Sequence, residues 1–218
     1  MEKQGIIKFW NEYRSTIVFL FLIVIFRSSV ADWNTVPTGS MKPTIIEGDR
    51  IWVNKLAYDI KLPLTNISIV ETGKPVRGDI IVFNSKIADK RLVKRVIGLP
   101  GDDIRMIQNK LYINNEPVEY DLINKTNHFL QFSEKLPRTN HLIQIFPQNT
   151  SQHSSFISVR VPENHYLVLG DNRDNSADSR YFGFVPRKEI IGRARTVVIS
   201  LDYDHYYLPR RERSFLNI

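Results

Sequence analysis

The beginning of the chain contains one long apolar segment. Residues 15–26 read STIVFLFLIVIF, a run without charge, alternation or a polar stripe, and a moderately apolar stretch continues past Arg27 to Trp33. A membrane-spanning helix needs about 20 apolar residues. We therefore predict one transmembrane helix over 15–33, completed by Arg27 reaching towards the headgroups and Trp33 lying at the interface.

Other interpretations of this segment stay open. Ser29-Val30-Ala31 is a small-x-small sequence typical of a signal-peptide cleavage site. A buried core helix is a further alternative, although such helices usually show a polar stripe. Basic residues precede the run, so the positive-inside rule places 1–14 in the cytoplasm and the rest of the chain outside it. These residues are Lys3, Lys8 and Arg14. We favour a retained anchor.

After Trp33 the pattern changes to short β-rich runs bounded by turns. Four Gly-Asp pairs lie at the edges of these runs, where glycine permits a positive φ and aspartate can bond the turn backbone. No stretch of 10–15 residues outside the first segment has helical periodicity. The predicted strands are 49–54, 79–84, 92–98, 110–114, 165–170 and 194–201. The pattern predicts a mainly β, antiparallel fold.

The region 103–162 differs in amino-acid composition from the rest of the chain. It is rich in Asn, Gln, Thr and Ser, and 147–155 is almost entirely polar. Such composition is typical of an inserted lobe or long loops. We expect a main β-domain made of 34–102 and 163–218, with 103–162 as a smaller inserted β/loop lobe.

Composition excludes several kinds of chemistry. The chain has no cysteine, so disulfides and thiolate nucleophiles are ruled out. The histidines are far apart without metal-ligand spacing, so we expect neither a metal nor a cofactor. The net charge of +7 is spread along the chain, which suits an anionic membrane surface better than a nucleic acid. The histidines are His128, His141, His153, His165 and His205.

Three segments carry candidate chemistry. The first, 37–44, is a loop rich in proline and glycine in which Ser40 follows Gly39. Loop serines are common for structural reasons, so Ser40 alone proves little. In the second, 94–102, Lys94 lies on an apolar strand face. A lysine acts as a base near pH 7 only if burial lowers its pKa, whereas the ordinary alternative is that it reaches solvent or pairs with an acid.

The third segment, 170–183, follows an apolar strand and is dense in polar groups. Such a loop can be a self-contained hydrogen-bonded turn, or it can orient a catalytic lysine.

Together the three segments resemble the type I signal peptidases of Gram-negative bacteria, from the apolar segment to about Leu201. The motifs that carry the resemblance are SMKPT at 40–44, GDRIWVNK at 48–55, KRVIGLPGD at 94–102 and GDNRDNS at 170–176. The resemblance implies a serine endopeptidase with Ser40 as nucleophile and Lys94 as general base. It also implies an oxyanion hole formed by the backbone N–H of Ser40 and the hydroxyl of Thr38, where relatives commonly have serine.

The resemblance further implies supporting roles for the loop that begins at Gly170. Ser176 would hydrogen-bond the lysine, and Asp178 and Arg180 would form an ion pair beside it. The expected substrates are secretory preproteins with small residues one and three positions before the cut. The expected location is the outer face of the cytoplasmic membrane, in contact with lipid, as a monomer that binds no nucleic acid.

Family members of the enteric type usually have two apolar N-terminal segments, and this chain shows one. A specialised peptidase serving one secretion or conjugation system would also account for that difference. A membrane-tethered β-domain that only binds peptides remains a non-enzymatic alternative. A self-cleaving Ser-Lys repressor is disfavoured, because it would have a DNA-binding domain in place of the apolar segment.

Overall fold

The computed structural model of the chain describes residues 2–65 and 67–218. Met1, the first residue of the predicted cytoplasmic segment 1–14, lies outside them. The helices are α1 (Glu2–Ser29) and the single turn α2 (Ser179–Phe182), with 3-10 turns at Gly39–Met41, Lys55–Ala57, Arg187–Glu189 and Arg211–Arg213. The strands are β1 (Ala31–Thr35), β2 (Asp49–Asn54), β3 (Asp59–Lys61), β4 (Ser68–Glu71), β5 (Ile80–Ser85), β6 (Lys90–Gly98), β7 (Asp103–Ile107), β8 (Lys110–Ile113), β9 (Glu116–Pro117), β10 (Glu119–Lys125), β11 (Leu130–Leu136), β12 (Thr139–Ile145), β13 (Phe156–Arg160), β14 (His165–Leu169), β15 (Val185–Pro186), β16 (Ile190–Asp202), β17 (Leu208–Pro209) and β18 (Leu216–Asn217).

The main sheet is antiparallel and has the order β1-β2-β16-β5-β6-β14-β15, with β17 and β18 also paired to β16. Each of the six predicted strands is present, and the prediction of a mainly β, antiparallel fold is confirmed. β2 shows why the pattern was informative: its residues alternate between buried and exposed, with Ile51 and Val53 fully buried. These two side chains pack in one core cluster with Met41 and Ile45 of the segment that carries Ser40.

The predicted transmembrane segment 15–33 was wrong at its end. α1 ends at Ser29, and Ala31–Thr35 form β1, in which Trp33 is paired with Trp52 of β2. The helix stops there because β2 supplies backbone partners for the residues that follow. In addition, Lys55 Nζ donates to the carbonyl oxygens of Arg27 and Ser28, at 2.6 and 3.1 Å, at the helix C-terminus. Among the residues that the structure describes, no helix is both long and apolar enough to cross a membrane.

The region 103–162 is built mostly of strands. β13-β7-β8-β9 form one sheet and β10-β11-β12 another. The first of these sheets buries Ile104, Met106 and Leu111 in one cluster with Leu167 and Leu169 of the main sheet. The polar residues of this region lie mainly in β10, which is largely exposed, and in the loop between β12 and β13.

Candidate functional site

Ser40 lies in the 3-10 turn Gly39–Met41, directly after the extended residue Thr38. The side chain of Met41 anchors the turn in the core: it is 1% exposed and belongs to the cluster that contains Ile51 and Val53. Ser40 itself is half-buried, and the Thr38 side chain is exposed and makes no capping hydrogen bond. The core therefore holds the turn while the two hydroxyl side chains stay accessible.

A second set of contacts fixes the same turn from the polar loop that begins at Gly170. Asn172 donates its backbone N–H to the carbonyl of Ser40 at 3.1 Å and its side-chain amide to the carbonyl of Gly39 at 3.0 Å. Gly170 passes so close that a Cβ atom there would overlap the Ser40 carbonyl oxygen and the Ser176 side chain. Only glycine permits this approach of the two backbones.

Lys94 is brought to Ser40 by β6. The two residues are 54 positions apart in sequence, and Lys94 Nζ lies 2.7 Å from Ser40 Oγ. Lys94 Nζ also donates to the carbonyl oxygen of Val93 at 3.0 Å. The lysine is 2% exposed, so the alternative in which its side chain reaches solvent is wrong. The predicted nucleophile and the predicted base are thus in hydrogen-bond contact.

Burial changes the acid-base behaviour of this lysine. Removal of the ammonium form from water lowers the pKa of Lys94 to about 8, against the opposing effect of Asp178 and Asp171, whose negative charges raise it. Lys90 and Arg180 lower it slightly further. At a pKa of about 8, roughly one lysine in ten is neutral at pH 7. A group of this kind can accept a proton near neutral pH.

Asp178 and Arg180 form the predicted ion pair. Arg180 Nε and Nη2 donate to the two carboxylate oxygens of Asp178 at 2.8 and 2.7 Å, and both side chains are almost fully buried. Asp178 also accepts the backbone N–H of Gly170 at 3.0 Å and caps α2. The pair therefore shapes the loop that holds the Ser40 turn.

The hydrogen bond expected between Ser176 and Lys94 is not formed. Ser176 is 7% exposed, and its Oγ has no hydrogen-bond partner among the described residues. The hydrogen-bond contacts of Lys94 Nζ are instead with Ser40 Oγ and the Val93 carbonyl.

A second buried ion pair, between two residues that were not among the predicted site residues, lies behind the Ser40 turn. Arg95 Nε and Nη2 donate to both carboxylate oxygens of Asp171 at 2.8 and 2.7 Å, and Asp171 also accepts from Thr44 Oγ1 at 2.6 Å. Asp171 is 1% exposed, and the guanidinium beside it lowers its pKa despite the opposing effect of burial. The available signal was that Arg95 lies within the partly apolar run of β6 and that Asp171 comes two residues after the apolar strand β14.

Ser40 and Lys94 open into a groove of about 480 Å³. One wall is the segment from Asn34 to Met41, and the other is the segment from Lys90 to Lys94. Thr38 is part of the first wall. The arrangement offers a nucleophilic hydroxyl, a buried amine of lowered pKa and an elongated space for an extended chain, which together suit acyl transfer from a peptide.

Residues 10–199 match the family model described as signal peptidase, peptidase S26. The chain is 37% identical over 205 residues to signal peptidase I of Pseudomonas aeruginosa, covering 86% of this chain and 71% of that protein. It is 34% identical over 211 residues to signal peptidase I of Rickettsia bellii, covering 87% and 72%.

Among solved structures, the chain is similar to a signal peptidase I from Enterococcus faecalis V583. The identity is 33%, the match covers 56% of this chain and 97% of that one, and the TM-score is 0.37. The predicted enzyme class, a serine peptidase, is confirmed by the family match and the similar proteins. The chain belongs to the signal peptidase, peptidase S26, family.

Proposed function

We propose that this protein removes N-terminal signal peptides from exported preproteins, with Ser40 as nucleophile and Lys94 as general base. The observation that carries the proposal is the 2.7 Å contact between Ser40 Oγ and a Lys94 Nζ that burial keeps largely out of water. The family and the names of the similar proteins support the substrate class.

Neutral Lys94 takes the proton of Ser40 as Oγ attacks the scissile carbonyl. The protonated lysine then gives that proton to the departing amine, which leaves the substrate acyl group on Oγ. A water molecule resolves the ester, with Lys94 again as base. The backbone N–H of Ser40 and the hydroxyl of Thr38 stabilise the oxyanion, and loss of one such donor typically costs about 10²–10³ in rate.

Ser176 completes the environment of the base in this mechanism. A neutral amine has two N–H groups, and one of them is used by the Val93 carbonyl. Ser176 Oγ is a buried acceptor without a partner among the described residues, and in the proposed mechanism it accepts the other. Asp178 and Arg180 hold the loop that carries it.

Attachment to the outer face of the cytoplasmic membrane is part of the proposal. In this proposal residues 34–102 and 163–218 form the catalytic domain, 103–162 form the inserted lobe, and the apolar part of α1 serves as an anchor. The support is that most of the large apolar side chains between Ile17 and Phe26 are exposed, Phe19 by 62%. Arg27, whose guanidinium lies 4.4 Å from the ring centre of Trp33, would extend this segment to the headgroups.

The test is cleavage of a purified secretory preprotein in detergent by the wild type, Ser40→Ala and Lys94→Met, with mass spectrometry of the new N-terminus. Ser133→Ala and Lys86→Met, which lie outside the groove, are the matched controls. The proposal expects one cut after a small-x-small sequence, lost in the first two variants and kept in the controls. A cut that persists in Ser40→Ala would refute the dyad.

A further inference from the structure

We propose that the groove beside Ser40 contains a subsite for an acidic side chain, formed by Lys90 and Arg91, that favours substrates with Asp or Glu four or five residues before the cut. The inference rests on the proposed peptidase function, and it adds a preference by charge to the preference for small residues next to the cut.

The groove lies between two strand edges that the described residues leave open. β1 pairs with β2 and lies at the edge of the main sheet. On the other side, β14 pairs with β6 only from Arg95 to Gly98, so the outer edge of Lys90–Lys94 has no neighbouring strand in the described part of the chain. A peptide that enters as an extended strand can therefore hydrogen-bond to either wall.

Two contacts across the groove show which residues of the two walls lie opposite each other. At one end Lys94 faces Ser40, and at the other Arg91 Nη1 donates to Asn34 Oδ1 at 2.8 Å. The two walls therefore run in the same direction. An extended chain rises about 3.3 Å per residue, so the segment from Lys94 to Lys90 and four residues of bound peptide have the same length, about 13 Å.

Because the two lengths match, each cation can be assigned to the residue of the bound peptide that lies beside it. With the residue just before the cut beside Ser40 and Lys94, the fourth residue before the cut lies level with Arg91 and the fifth with Lys90. Lys90, Leu92 and Lys94 alternate onto one face of β6. The effect of Lys90 on the pKa of Lys94 agrees with this placement, although burial dominates that pKa.

The charge at this end of the groove is uncompensated. The charged residues that line the groove are Lys90, Arg91 and Lys94, and no carboxylate lines it. Arg91 is held by the neutral amides of Asn34 and Asn84. Within the described residues neither Lys90 nor Arg91 has a carboxylate partner, whereas other cations near strand ends, such as Arg187, do. A substrate carboxylate would supply the missing negative charge, and a lysine there would be repelled.

The test uses peptides that are identical except for Glu, Gln or Lys at one position, scanned from six before to three after the cut, with the small residues one and three positions before the cut kept unchanged. At low ionic strength we expect kcat/KM to fall in the order Glu, Gln, Lys at the fourth and fifth positions before the cut, by about three- to tenfold in total. We expect the order to reverse in Lys90→Glu/Arg91→Glu and to be kept in Lys86→Glu, a matched control in the β5–β6 turn outside the groove.

Two results would overturn the subsite: the same order in Lys90→Glu/Arg91→Glu as in the wild type, or a charge preference that is strongest after the cut. Affinities of the same peptides for Ser40→Ala, read by fluorescence anisotropy, separate this failure from failure of the proposed function. Charge-dependent binding without cleavage by the wild type would refute the peptidase alone, and cleavage without charge dependence would refute the subsite alone.

Discussion

The backbone N–H of Asn172 donates to the carbonyl oxygen of Ser40 at 3.1 Å, and the same residue binds the Gly39 carbonyl through its side chain. Asn172, which holds the turn that carries the nucleophile, is the neighbour of Asp171. Asp171 in turn pairs with Arg95, the neighbour of Lys94. The Ser40 turn and β6 are therefore positioned through one connected group of buried hydrogen bonds, in addition to the direct contact between Ser40 and Lys94.

Replacement of Asn172 by Asp should lower catalysis, and it should also lower the free energy of unfolding because the new carboxylate is buried. The change keeps the shape of the side chain but turns its donor into an acceptor that faces the Gly39 carbonyl. We expect kcat to fall about 10- to 100-fold, because small displacements of reacting groups are costly. Steady-state kinetics and thermal unfolding are the measurements, with the exposed residue change Asn140→Asp as control. Full activity in Asn172→Asp would show that this contact does not position Ser40.

Activity should increase with pH through the range in which Lys94 loses its proton. The neutral lysine is the base, and it is the form present above the pKa. Since burial lowers the pKa of Lys94 to about 8, we expect kcat/KM to rise tenfold per pH unit below about 8 and to level off above it.

Initial rates between about pH 6 and 10 measure this profile. In Lys90→Gln the midpoint should move slightly upwards, because Lys90 is one of the charges that lower the pKa of Lys94. A midpoint near 10.5, the ordinary lysine value, would exclude Lys94 as the base that acts near neutral pH.

The same pKa implies a cost to the stability of the folded protein. Between about pH 8 and 10.5 the unfolded chain binds a proton at Lys94 that the folded protein does not, so stability rises with pH across this window. Below about pH 8 the free-energy cost of burying the charged Lys94 does not change with pH. Lys94→Met removes the penalty, and we expect it to raise the free energy of unfolding at pH 7 by about 1–3 kcal/mol.

Denaturant unfolding of wild type and Lys94→Met at several pH values measures that difference. The gap should narrow towards pH 10.5. Lys86→Met, a change at an exposed lysine, should show neither the gain nor its pH dependence. A Lys94→Met protein less stable than the wild type at pH 7 would contradict the proposed burial cost.

The sequence predicted the strands well because their apolar residues alternate or cluster between turns. It also predicted the contact between Ser40 and Lys94, although only through the resemblance of complete motifs, since neither residue is distinctive alone. The end of the first helix was misplaced because residues 28–31 carry no charge and Trp33 suits a membrane interface, whereas the backbone of Ala31–Thr35 instead pairs with β2.

Other contacts between distant segments could not be predicted from the sequence. Glu134 of β11 is fully buried and pairs with Arg173 at 2.6 Å, which ties the inserted lobe to the loop that contains Asn172. Nothing in the local sequence around Glu134 distinguishes it from an exposed strand residue. Its partner becomes apparent only when the fold brings the two segments together.

The central claim, that Ser40 is the nucleophile, is tested most directly by trapping the acyl-enzyme. A peptide ester with small residues one and three positions before the ester bond is mixed with the protein, quenched with acid within seconds, and studied by intact-mass and peptide mass spectrometry. The account predicts a mass increase equal to the acyl group, located on the peptide that contains Ser40 and absent in Ser40→Ala. An adduct on another residue, or ester turnover that persists in Ser40→Ala, would contradict it.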